Sequence, residues 1–340
     1  MGQNGHGWDI RLKDGRFFLY TALAYGAVAL ILTCLAAMFL QNVWMIGDTK
    51  LFFRMAEVVL SGGTPYVDFK DPKPPLIFFT LAVPTMLGQQ LYGGLLLVGL
   101  CNFLSALVAM RMGQRLYGRL PGFAAGLVFL INMALAEGFF ILTEPFTVLF
   151  ILLSAYALLF MDKKYLLSGL FAGVAVGFKQ YALLLIPLAL FYAYRRGHLK
   201  GFVSFMAGLL LPLLAIFGAI FIFYGADAGA SSLYWSFGVA DSYVTQGYLG
   251  DIPAYKAEDP LIALANFALE ASLFVSLLAV ALAGLVLERR LTPREEYFIL
   301  SGTAFLGVLV IRQYLHYWAL ALPFIVLLCV RAYRKREAWP

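Results

Sequence analysis

Apolar runs of roughly 17 to 25 residues recur from Phe17 to Val330, separated by short clusters of charge, and this alternation constrains the chain more than any single motif. A run of that length crosses about 30 Å of hydrocarbon as a helix, and no period-2 alternation suggests a β-barrel. Only 13% of the 340 residues are charged, against about 25% in a soluble domain. The expected fold is therefore an all-α polytopic membrane protein, a single transmembrane domain over residues 1–340, and nucleic acid is not an expected partner. Cys34, Cys101 and Cys329 sit inside apolar runs without CxxC spacing and read as small core residues.

The positions of the 25 Lys and Arg set the expected topology. Eighteen fall in six clusters, around Arg11–Arg16, Arg111–Arg119, Lys163–Lys164, Arg195–Lys200, Arg289–Arg294 and Arg331–Arg336. The positive-inside rule places all six in the cytoplasm, with both termini inside. One outward and one inward helix between successive clusters gives about ten spans: 18–43, 90–110, 121–136, 144–161, 165–178, 181–194, 201–224, 261–287, 296–311 and 317–330. The Pro74–Gly88 segment is then a re-entrant or interfacial helix, because an eleventh span would invert everything after it. Residues 1–16 form the cytoplasmic N-terminus, 44–89 the first outer loop, 225–260 a second outer loop and 331–340 a cytoplasmic tail. Trp44, Trp318 and Trp339 read as an aromatic belt.

Seven basic residues remain for the outer face: Lys50, Arg54, Lys70, Lys73, Lys179, Lys256 and Arg312. They share it with Asp48, Asp68, Asp71, Glu137, Glu144 and His316. Cations gathered at chain-distant membrane exits point to an anionic ligand. Asp48 precedes Leu51, Phe52, Met55, Val58 and Val59, apolar positions at helical spacing, with Arg54 and Glu57 opposite and Gly62-Gly63 as a stop. This is the pattern of an amphipathic juxtamembrane helix, in which Asp48 also serves as an N-cap. Lys73 is locked between prolines at the mouth of an apolar segment, where an ammonium is costly unless paired with an anion. Glu144 in the first turn of a span suits the helix dipole. Lys179 joins two spans of about 14 residues, short enough to hold it near or below the interface. Arg312 and His316 are four apart, hence on one face of a helical exit. The tyrosines and tryptophan of the second outer loop, Tyr234, Trp235, Tyr243, Tyr248 and Tyr255, suit either sugar stacking or an interfacial belt.

In order, Asp48, an amphipathic helix, G-G-T-P-Y-x-D-F-x-D-P-K-P-P-L, T-E-P-F, G-F-K-Q-Y and R-x-x-x-H-Y-W resemble the integral-membrane GT-C glycosyltransferases, nearest to the protein O-mannosyltransferase and aminoarabinose-transferase-like branch. The resemblance implies an enzyme that moves a sugar from a polyprenyl-phosphate carrier to a glycan, glycolipid or protein acceptor on the outer face of the cytoplasmic membrane. Carried over by motif, Asp48 and Glu144 are the catalytic carboxylates and Lys73 and Lys179 meet the carrier phosphate. Arg54, Asp68, Asp71, Arg312 and His316 complete the candidate substrate-binding set. Thr49 stands where the family frequently has a second acid, which leaves a divalent cation as an open question. The expected chemistry is a single displacement with inversion, with Asp48 as general base on an acceptor hydroxyl. A transporter or flippase for an anionic lipid, or another membrane glycan ligase or polymerase, would use the same outer-face cations.

Overall fold

The structure, a computed structural model, describes residues 5–41, 47–239, 271–287, 290–311 and 314–333. Among these there are twelve α-helices and no strand: α1 (Gly5–Leu40), α2 (Gly47–Leu60), α3 (Leu76–Met86), α4 (Gln90–Tyr117), α5 (Arg119–Leu135), α6 (Glu144–Phe160), α7 (Tyr165–Phe178), α8 (Ile186–Tyr224), α9 (Ala226–Leu233), α10 (Ser272–Leu287), α11 (Pro293–Ile311) and α12 (Trp318–Cys329). By length and composition three stretches, Gly15–Leu40, Gln90–Tyr117 and Gln180–Tyr224, can cross a membrane, and shorter apolar helices accompany them. The protein is membrane-embedded.

The longest helix is two helices in series. At His198 the backbone turns to φ 50°, ψ −149°, inside the basic cluster where a reversal is expected. The segment after the break lies alongside α7, whose Gly169 and Gly173 meet the backbone of Phe205 and Leu209, while Gly208 meets that of Leu166. With no side chain at these three positions the helices approach to backbone contact, the small-residue packing that joins helices where lipid gives no hydrophobic drive.

All twelve residues of α12 are buried. A helix apolar on every side belongs inside a bundle, and α12 occupies that position with α5, α6, α10 and α11 around it. Trp318, expected in an aromatic belt, is only 5% exposed and stacks on Phe274 at 5.4 Å. The ring is a core residue because α12 is central rather than peripheral. Of the cysteines, Cys329 is buried and donates to the Leu277 carbonyl, Cys101 is intermediate, and Cys34 is exposed on the lightly buried α1.

The bundle has two chemically distinct ends. At one end, Arg111 lies over Phe18, Arg115 bonds the Phe160 carbonyl, Arg294 that of Leu159 and Arg331 that of Arg290, so chain-distant basic clusters converge. These arginines sit on helix ends rather than in loops, because α4 continues to Tyr117 and α11 begins at Pro293. At the other end lie α2, the loop to α3, the start of α6, the end of α7 and the turn before α12. The 11-residue α3 is about 16 Å long, half of a hydrocarbon core. Its Leu76 meets Gly177 and its Pro84 meets Gly93, so both of its ends neighbour elements of this second end. Trp44, Arg312, Tyr243, Tyr248, Tyr255, Trp339 and the 261–270 part of the expected eighth span lie outside the described residues.

Candidate active site

Residues far apart in sequence meet at the second end. The 14-residue α2 buries Phe52, Phe53, Met55 and Ala56 and exposes Arg54 and Glu57, which is the amphipathic division the spacing predicts. Asp48 stands in its first turn. The next residue, Thr49, is buried and donates its hydroxyl to the Ile141 carbonyl at 3.1 Å. A carboxylate at position 49 would face that carbonyl oxygen, so this fold uses the position as a tie to the segment before α6.

The loop after α2 fixes Lys73. Asp71 accepts a bond from the Lys73 N–H at 2.8 Å across Pro72, the tight turn that a short Asp or Asn side chain makes with backbone two residues on. The Tyr66 hydroxyl donates to the Lys73 carbonyl at 2.5 Å, and Gln180 donates to the Pro72 carbonyl at 2.9 Å. Tyr66 adopts φ 63° and is fully buried, held further by Ser231 on its own carbonyl at 2.8 Å. With its backbone clamped from three sides, Lys73 directs its ammonium to 3.3 Å from Asp48 Oδ2 and 3.7 Å from Asp71 Oδ2, and 5.2 Å from the Phe52 ring centre.

A second lysine stands across the crevice. Phe178 ends α7, Lys179 is extended, and a 3-10 turn over Gln180–Leu185 leads into α8. The Lys179 ammonium pairs with Glu144, whose carboxylate is 1% exposed against 6% for the lysine, and lies 4.4 Å over Tyr317 and 5.4 Å over Tyr181. Glu144 gains from its place in the first turn of α6, where the helix dipole favours an anion. His316, in the 3-10 turn before α12, donates Nδ1–H to Glu137 at 3.0 Å and presents Nε2 to Glu144 at 3.7 Å. Pro72, Lys73, Lys179, Gln180, Tyr181 and Tyr317 line one narrow crevice, so both ammonium groups belong to one site.

The two aspartates beside Lys73 are driven in opposite directions. Burial raises Asp48, but the charges of Lys73, Lys179 and His316 together outweigh it and hold the carboxyl below its usual range. Burial also raises Asp71, and Lys73 offsets that only in part, so this carboxyl ends above its usual range. Asp48 is the accessible member, 43% exposed against 2% for Asp71. Such a separation gives neighbouring carboxyls different tasks: Asp48 faces outward as an anion, and Asp71 shapes the turn.

Asp48, Asp71, Lys73, Glu144, Lys179 and His316 therefore lie together at this end. Arg54 does not, being exposed on the far side of α2, and Asp68 accepts the Thr64 N–H at 2.7 Å in a solvent-exposed turn. Sequence reasoning gave no role to Tyr66, Gln180, Tyr181, Tyr317 or Glu137. Glu137 alone carried a signal, as an acid in a short gap between two apolar runs. Among the described residues no three His, Cys, Asp or Glu side chains converge to hold a metal ion, and the Lys73 ammonium occupies the space between Asp48 and Asp71. Among the described residues, the donor set beside Lys73 does not fit a divalent cation.

Residues 72–222 match the sequence model of the dolichyl-phosphate-mannose-protein mannosyltransferase family. The similarity covers a little under half of the chain. The match opens one residue before Lys73 and includes Glu137, Glu144 and Lys179, which agrees with the GT-C resemblance of the motifs; Asp48 and His316 lie outside it. No curated protein matches the chain significantly. Among solved structures, ArnT from Cupriavidus metallidurans bound to undecaprenyl phosphate is similar at 15% identity and a TM-score of 0.40, over 92% of this chain and 77% of that one.

Proposed function

We propose that the protein is a GT-C-type glycosyltransferase that moves a sugar from a polyprenyl-phosphate donor to an acceptor hydroxyl, with its site on the outer face of the cytoplasmic membrane. The observation that carries the reading is the crevice with two buried lysines on its walls and an anionic Asp48 at its mouth, most of it inside the segment that matches the family. Soluble nucleotide sugars are cytoplasmic, so an outward-facing transferase needs a donor carried by lipid.

In this reading the carrier phosphate enters between Lys73 and Lys179. Two ammonium groups held by carboxylates and aromatic rings are already oriented, so they stabilise the charge that develops on the leaving phosphate without reorganising. Phosphate shares the charge of Lys73 with Asp48, and the carboxylate, less strongly held by its nearest cation, becomes a stronger base. Asp48 takes the proton of the acceptor hydroxyl, the acceptor oxygen bonds to the anomeric carbon from the face opposite the phosphate, and the bond from that carbon to the phosphate oxygen breaks. Polyprenyl phosphate leaves as the anion, and the configuration inverts. Glu144 has no exposed oxygen to offer an acceptor; it acts as a positioning residue for Lys179 and, with Glu137, for His316.

The test is transfer from a panel of radiolabelled polyprenyl-phosphate sugars by the purified protein in lipid, with a membrane extract as acceptor source. Wild type is expected to release polyprenyl phosphate and label a product, and Asp48→Asn to lose at least about 10²-fold in rate, the usual contribution of a general base. Full activity in Asp48→Asn would remove the base assignment. Leaflet exchange of the labelled lipid in sealed vesicles without consumption would replace the transferase by a flippase.

A further inference from the structure

The arginine end holds a second feature that the transferase reading leaves unused. A groove of about 280 Å³, close to the smallest ligand cavities, runs between α1, α4 and α6 and is walled by Leu104, Leu107, Val108, Leu149, Leu153 and Tyr156. Phe18 and Arg111 stand at its charged end. From Leu104 to Arg111 is seven residues of α4, about 10 Å of depth, less than the roughly 15 Å of one leaflet's hydrocarbon. The groove therefore begins at the arginine surface and stays within the adjoining leaflet.

Its mouth is built from cations resting on rings. The Arg111 guanidinium lies 4.2 Å over Phe18, and Arg115 lies 5.2 Å over Tyr156 while donating to the Phe160 carbonyl at 2.7 Å. Ring stacking fixes each guanidinium plane without neutralising its charge. The neighbouring segments add Arg119, Lys163 and Lys164, and the one acid within residues 111–119 and 161–164 is Asp162. Apolar walls that end in excess positive charge complement a molecule with an acyl chain at one end and a phosphate at the other.

We infer that this groove is a binding site for an anionic phospholipid of the arginine-side leaflet, one acyl chain lying along Leu104–Tyr156 and the phosphate held at Arg111 and Arg115. The site is separate from the crevice at the opposite end of the bundle and holds whether or not the protein transfers sugars. Each arginine near a lipid headgroup contributes about fivefold in affinity.

Native mass spectrometry of the full chain in detergent, with equimolar phosphatidylglycerol and phosphatidylcholine of identical acyl chains, reads this directly. Wild type is expected to retain phosphatidylglycerol about tenfold or more over phosphatidylcholine. Arg111→Gln should lower that preference about fivefold. Leu153→Trp, which fills the groove, should reduce retention of both lipids. Lys200→Gln removes one exposed charge at the same end of the bundle, on α8 rather than on a helix that lines the groove, and should leave the preference unchanged, which separates a site from bulk charge. Unfolding temperature and gel-filtration profile identify any variant that has lost its fold; Arg111→Lys, which keeps the charge, should then retain a preference. Equal retention of the two lipids by wild type, an unchanged preference in Arg111→Gln together with unchanged retention in Leu153→Trp, equal competition by water-soluble glycerol phosphate, or a lipid-free dimer of the chain would each overturn the inference.

Discussion

Helix α6 has a cation problem solved differently at each end. At its C-terminus, the carbonyls of Leu158, Leu159 and Phe160, which have no partner within the helix, receive Arg196, Arg294 and Arg115 respectively, one from each of α8, α11 and α4. At its N-terminus, Glu144 meets Lys179 and His316, and a second lysine waits across the crevice. The arginines are bound to backbone acceptors that no ligand can remove, and they also complement the negative end of the helix dipole. Paired with carboxylates and rings, the lysines have partners that an incoming phosphate can replace. A cation on a carbonyl holds the bundle together; a cation on a carboxylate is in equilibrium with substrate. Arg294 shows the cost of the first arrangement, because burial and then the nearby Arg196 and Arg115 lower its affinity for its proton.

The largest expected effect lies at the buried Lys179. Lys179→Ala leaves Glu144, with almost no access to water, only the Thr143 hydroxyl and His316 at 3.7 Å in place of its ammonium, and removing one partner of a buried pair costs about 3–5 kcal/mol. Chemical unfolding should show that loss, and the transferase reaction should disappear with it. The double variant Lys179→Met, Glu144→Gln should recover most of the stability, since both charges are gone, but none of the activity. Recovery of activity in the double variant would make the pair purely structural.

The next effect is on pH dependence. Asp48 is held below its usual range mainly by Lys73, so its anionic form is present above the ordinary carboxylate range and is lost only as pH falls through the lowered value. Wild-type kcat/KM should therefore hold steady as pH falls toward about 4, the ordinary Asp range. In Lys73→Met, burial acts on Asp48 with its nearest opposing charge removed, and the acid limb should move to higher pH along with a weaker donor KM. A limb that stays in place would show that another group controls it. Titration of Asp48 by carbon-13 NMR checks the same shift independently of rate.

For Arg196 and Arg294 the expected changes are in stability alone. Arg196→Gln and Arg294→Gln each remove a charged donor from a helix-terminal carbonyl, worth about 1.5–3 kcal/mol at most and less where water reaches, since Arg196 is exposed. Thermal unfolding should register each, with turnover per folded molecule unchanged. A fall in kcat without a fall in stability would mean that the two ends are coupled.

Helix positions were legible because apolar runs and basic clusters alternate, and this alternation depends only on local composition. The 165–178 span and the break at residues 195–200 match α7 and the reversal at His198 closely. The members of the site were legible for a related reason: Asp48, Lys73, Glu144 and Lys179 are costly residues at the ends of apolar runs. Their pairings were not, since Glu137 and His316 are 179 residues apart and Lys179 and Glu144 are 35 apart. Which helices adjoin, and hence which lysine meets which acid, follows from packing around a buried α12. That central position also explains why Trp318, at a helix end like a belt residue, lies inside. Tyr66 and Gln180 act on the carbonyls of Lys73 and Pro72, and a side chain's bond to distant backbone leaves no pattern in sequence.

The smallest effect sharpens the boundary of the site. Arg54 shares α2 with Asp48, and charge alone makes it as good a phosphate ligand as Lys73. Six residues along a helix place it about 600° around the axis from Asp48, roughly 120° away from it, and the structure leaves it exposed there. Arg54→Gln is therefore expected to change stability by less than about 0.5 kcal/mol, as at other open surface positions, and donor KM by less than about twofold. Placing Lys73→Met and Arg54→Gln side by side in one donor titration separates two accounts of the basic residues at this end. If anion capture depends on net charge, the two variants weaken the donor equally; if it depends on an ammonium held by Asp48, Asp71 and a clamped backbone, only Lys73→Met does. An equal response would move the phosphate site from the crevice to the surface of α2.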